Sequence, residues 1–125
     1  MNNWNKLGKL YHPISIDNKL QSHASNPIPV NIKADVFRIF FNGRDKDNKS
    51  SVGYIDFDIV KQVQLSRSSS FVFSFGNENS FYSHGVSIGC VYNIYKNKYI
   101  LFMGWQIPKN SHWRGDIGRL KLTNN

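Results

Sequence analysis

The chain has 125 residues, the length of one domain, and is 40% hydrophobic and 14% aromatic, which supports a buried core and argues against a disordered chain. Sixteen basic against eight acidic residues leave a net charge of +8, which admits an acidic partner, although the lysines are scattered and no block of like charge stands out. A single cysteine, Cys90, excludes an internal disulfide and a CxxC metal site.

Residues 1–20 are polar with isolated apolar positions (Trp4, Leu7, Leu10, Ile14, Ile16), suited to a lead-in loop with one short strand. The N-terminus lacks the apolar centre of a signal peptide, and no apolar run reaches the ~20 residues that span a bilayer. The expectation is a cytoplasmic chain with no membrane span. "VFRIFFNGR" (36–44) is rich in branched and aromatic residues and predicts a strand. "DKDNKSS" follows, a turn of residues that bond their own backbone. "VGYIDFDI" alternates and completes a hairpin, with Asp56 and Asp58 on its solvent side. "SRSSS" (66–70) reads as a loop, "FVFSF" (71–75) as a short strand and "GNENS" as a turn. "HGVSIGCVYNIY" (84–95), "YILFMGW" (99–105) and "DIGRLKL" (116–122) predict three more strands, with Cys90 a buried, inert thiol in the first of them. No segment holds a 3.6-residue period over ten residues, so the fold is all-β.

The hairpins repeat. "HASNPIPV" from His23 and "HGVSIGCV" from His84 lie 61 residues apart, and Val30/Val91, Phe41/Phe102 and Gly43/Gly104 match at the same offset. Gly53 and Gly118 match at 65, after a longer loop. Blade-like units at about 23–65 and 84–122 follow, and repeated four-stranded units mark a propeller.

"SHASNPIPV", "FRIFFNGRDKDNKSSVGYIDFD", "GVSIGCV" and "YILFMGW" with "WRGDIG" resemble the N-terminal part of the five-bladed β-propeller glycoside hydrolases of the family 43/32-like kind found with bacterial surface-polysaccharide genes. The resemblance runs from about Trp4 to Leu122. It implies a partial five-bladed propeller of about two four-stranded blades and a glycoside hydrolase-like protein that acts on or binds bacterial surface polysaccharide. Relatives carry Phe-Asp-Asp-Ser before "GVS"; here Phe81-Tyr82-Ser83-His84 stand there, and both acids are gone. Glycoside hydrolysis needs two carboxyl groups across the scissile bond. Asp45, beside Arg44 at a strand end, is the one candidate catalytic carboxylate that the resemblance supplies, and the chain alone is expected to be inactive.

Candidate sugar-binding residues are His23, Asn26, Arg44, His84, Trp105, Trp113 and Arg114. The histidines at equivalent places in the repeat either line a central channel or serve structure. The tryptophans either stack on sugar rings or pack between units. No third ligand accompanies the histidines, so no metal and no cofactor are expected. A non-catalytic carbohydrate-binding or interaction module is the first alternative, and a basic nucleic-acid-binding β domain the second. That second one lacks a reading motif, so nucleic-acid binding would be non-specific and salt-sensitive. Two units also leave a blade face uncovered, open to self-association or a partner chain.

Overall fold

The computed structural model describes residues 3–123. Seven strands occur in it: β1 (Ser22–Lys33), β2 (Val36–Arg44), β3 (Ser50–Asp58), β4 (Val63–Arg67), β5 (Gly85–Ile94), β6 (Asn97–Gln106) and β7 (Arg114–Leu122). None of the described residues is helical. The chain is all-β, as composition and periodicity imply.

The strands form one open sheet in the order β1-β2-β3-β5-β6-β7, with β4 also on β3. Every pairing is antiparallel except β3 with β5, which meet in parallel through one residue pair, Ser50 with Gly85. The sheet is thus two antiparallel meanders touching at a corner. β1 is an edge strand, which is where Pro27 and Pro29 can sit without breaking a ladder. Register shifts bracket Ser25, and His23 and Asn26 take positive φ there.

The 61-residue offset recurs in particular contacts, although the first unit has four strands and the second three. Phe41 stands opposite Gly53 in the first meander, and Phe102 opposite Gly118 in the second. Leu20 covers Gly43 and Gly53: a Cβ on them would lie 2.6 and 2.9 Å from its methyl groups. Phe81, 61 residues on, covers Gly104 and Gly118 in the same way, 2.6 and 2.8 Å from a built Cβ. A large side chain ahead of each meander therefore lies on a glycine pair that has no side chain to displace it.

The two meanders share a core. Ile28, Phe40 and Val52 of the first form one core with Val86, Ile88, Ile100 and Phe102 of the second. Phe73, Phe81 and Tyr82 close its side with aromatic contacts to Phe102 at centroid distances of 5.1–6.0 Å. The opposite face of the first meander, with Phe41, Ile55 and Phe57, is covered by Tyr11 and Ile16 from the N-terminal segment.

Several expectations change. The segment 71–75 is no strand; it touches β3 through one bridge, Val52 with Phe73. Phe71 and Phe75 turn aside to hold the Lys19 ammonium, 4.5 Å from each ring. The strand expected before residue 20 reduces to a bridge between Asp17 and Leu20. The stretch 66–70 begins inside β4, which adds a fourth strand to the first unit alone. Asp58 is buried, not solvent-facing: its Oδ1 accepts the Val60 and Lys61 N–H groups. Those bonds, the Lys61 one foremost, hold its carboxyl below the usual range. Asp56 is half-buried and takes a two-pronged bond from Arg38 at 2.8 and 3.0 Å, which holds it low as well. Cys90 is exposed, because a bulge between Ile88 and Cys90 turns it to the outer face.

Candidate functional site: a cleft where the two meanders meet

The N-terminal ends of β1, β3 and β5 and the C-terminal ends of β2 and β6 lie along one edge of the sheet. A cleft of about 230 Å³ opens there, lined by Ser25, Asn42, Gly43, Arg44, Ser50, Ser87, Met103, Trp105 and Trp113.

Its floor is a hydrogen-bond network that joins the meanders. Asn42 is buried; its Nδ2 donates to the Val86 carbonyl at 2.5 Å, and its Oδ1 accepts the Ile88 N–H at 3.0 Å. Ser50 Oγ donates to the same carbonyl at 2.7 Å and accepts the Val86 N–H at 2.9 Å. The two side chains thus complete the backbone bonding of β5, where no strand lies alongside. Ser50 Oγ also accepts the Trp105 indole N–H at 3.1 Å, which fixes the plane of that ring in the wall.

Gly85 makes this possible. A Cβ there would collide with the Trp105 indole and Ser50 Oγ. Gly85→Ala is expected to cost about 2–3 kcal/mol, as overpacking of a tight contact does, and to release Trp105. Urea denaturation checks the first effect and a red shift of tryptophan emission the second.

The His84 ring packs against Trp105, ring centroids 4.6 Å apart, and the His84 backbone N–H donates to the Trp105 carbonyl. Burial and, after it, the nearby Lys49 ammonium push the imidazole below its ordinary value, so it is neutral at pH 7.

The structure brings Arg44, Trp105 and Trp113 into the cleft and sets His84 behind Trp105. His23 and Asn26 are exposed and do not line it. The two histidines are therefore unequal: His23 bonds Ser22 Oγ through Nδ1 at 2.8 Å, with its backbone in the left-handed region. Arg114 is turned to Asp116 by bonds of 2.9 and 3.1 Å and stays outside the lining. Asp45 starts the β2–β3 turn. Its Oδ1 accepts the Asp47 and Lys49 N–H groups at 2.9 and 2.8 Å, so one oxygen is engaged by the backbone. No carboxylate lines the cleft. Among the described residues no three His, Cys, Asp or Glu side chains cluster as metal ligands. No helix among them is long and apolar enough to cross a membrane.

Sequence reasoning missed Ser25, Asn42, Ser50, Ser87 and Met103. Asn42 carried a signal: it lies two residues from Phe40, on the buried face of an otherwise apolar strand, where a polar group must have partners.

The chain is similar to two uncharacterized proteins from two strains of Mycobacterium tuberculosis, each 33% identical over 116 residues. The match covers 92% of this chain and 39% of theirs, so the chain spans about two fifths of the length of these relatives. No family model matches the sequence. No solved structure matches it.

Proposed function

We propose that the chain is a carbohydrate-binding unit of the glycosidase-like propeller type, fitted to a bacterial surface polysaccharide and without hydrolytic activity of its own. One observation carries this reading: a cleft at the junction of the two meanders is walled by Trp105 and Trp113 and set with Arg44, Ser25 and Ser87, yet holds no carboxylate. Flat indole faces suit the apolar faces of sugar rings, and hydroxyl and guanidinium groups bond sugar hydroxyls. Hydrolysis would need two carboxyl groups facing the glycosidic oxygen. Asp45 is bound into its turn and Asp116 to Arg114. The repeat and the core its two units share support two blades of a propeller as the arrangement. In that arrangement the outer face of the second meander takes a further copy or a partner chain.

Trp113 is 59% exposed and carries little of the core, so its removal tests the site without unfolding the chain. In calorimetric titration with neutral oligosaccharides, Trp113→Ala is expected to weaken binding about tenfold or more, the scale of one lost aromatic platform. Aryl glycosides are expected to remain intact. Turnover that survives repurification and vanishes in Asp45→Asn would overturn the non-hydrolytic part. Binding that is unchanged in Trp113→Ala would overturn the cleft as the sugar site.

A further inference from the structure

We infer that the sugar segment seated in this cleft is anionic, bearing a uronate carboxylate or a phosphate beside Arg44. The inference rests on the carbohydrate reading above and adds the ligand's charge.

The cleft lining holds one charged side chain, Arg44, and no carboxylate. Arg44 lines it at the end of β2, and among the described residues its guanidinium has no carboxylate or carbonyl partner. Arg38 and Arg114 differ: Arg38 is held by Asp56 and Arg114 by Asp116. Lys49, in the next turn, adds a second positive charge, with its ammonium 4.9 Å from the Phe75 ring and close enough to His84 to disfavour a charge there. Asp45 in the same turn offsets one of these two charges and acts on His84 in the opposite sense, so the excess that faces the cleft is the one charge of Arg44. A neutral sugar would leave this excess uncompensated. An anionic one matches the planar fork of a guanidinium, which bonds two oxygens of a carboxylate or phosphate at once. The walls add selectivity: Trp105 and Trp113 flank the site, and Ser25 and Ser87 lie in the lining to bond ring hydroxyls, Ser50 being fully engaged in the floor.

The test uses matched ligands on the full chain. Trigalacturonic acid and galactotriose differ in carboxylates at otherwise similar rings, and galactose 6-phosphate against galactose asks the same of a phosphate. Titration at low salt is expected to favour the acidic trimer about tenfold, with the preference shrinking as salt rises. Arg44→Gln should bring the acid-to-neutral ratio close to 1, and Arg44→Lys should recover part of it. A preference for the phosphate alone assigns the anion to a phosphorylated sugar, and a preference for the uronate alone assigns it to a carboxylate. Equal binding of acidic and neutral ligands, or an acid preference unmoved in Arg44→Gln, overturns the inference and leaves the carbohydrate reading standing. If none of the four ligands binds, the carbohydrate reading falls and this inference with it.

Discussion

Asn42→Ala is expected to destabilise the chain by about 3 kcal/mol, the cost of two lost bonds and an orphaned amide. Asn42 is 3% exposed and spans the junction between the meanders. Its removal leaves the Ile88 N–H without an acceptor inside the core and takes one of two donors from the Val86 carbonyl. No ladder can replace them, because β3 meets β5 through Ser50 and Gly85 alone. In a chain of this length such a loss lowers Tm by roughly 10 °C. Asn93→Ala, at an exposed position on β5, is the control and should change stability by less than about 0.5 kcal/mol. The double variant Asn42→Ala, Ser50→Ala should fall short of the sum of the single effects, because both side chains donate to the Val86 carbonyl. A drop in the Asn42 variant no larger than in the Asn93 control, by urea denaturation, would show that the junction is not held by this network.

The second large effect is on association. Val52 and Ile117 are equivalent in the repeat, and their surroundings differ: Val52 is 2% exposed in the core between the meanders, and Ile117 is 81% exposed. Phe40 and Leu101 form the same kind of pair, the first buried and the second half-buried. On β5–β7 the outward face thus carries Leu101, Met103 and Ile117 with Tyr92 stacked on Tyr99, and Arg119 lies 5.0 Å from the Tyr99 ring centroid. β7 is also a free edge, with Arg119 and Lys121 as its charged guards. An apolar sheet face of this kind is expected to associate. By size exclusion with light scattering, the mass should rise above 14.5 kDa as concentration increases. Leu101→Lys with Ile117→Lys should raise the dissociation constant roughly 30-fold or more, as loss of central apolar anchors does. A constant mass of 14.5 kDa for the unaltered chain would mean that the outer face needs no cover.

How far sequence alone reaches follows from where the signals lie. β2, β3, β5, β6 and β7 announce themselves through branched and aromatic runs, and the glycines at 61- and 65-residue offsets mark the register that pairs Phe41 with Gly53 and Phe102 with Gly118. β4 is silent, because "VQLSR" is exposed throughout and has no face to alternate. Residues 71–75 mislead in the other direction: five residues rich in phenylalanine look like a strand, yet their rings serve Lys19 and the core edge, and a single bridge suffices. Cys90 turns outward at a bulge, and a one-residue bulge leaves no trace in an apolar pattern. In the cleft, Arg44, Trp105 and Trp113 are legible as large side chains at strand ends. Ser50 is not, because a serine in a strand looks alike whether it faces water or completes the bonding of a neighbouring strand.

The most direct measurement follows the three indole N–H resonances by NMR while an oligosaccharide is added. Trp105 and Trp113 wall the cleft, and Trp4 is 95% exposed in the N-terminal segment and does not line it. Saturable shifts at Trp105 and Trp113, with Trp4 unmoved, are the expected result. Shifts confined to Trp4, or none at ligand concentrations that saturate ordinary lectin-like sites, would contradict a carbohydrate cleft between the two meanders.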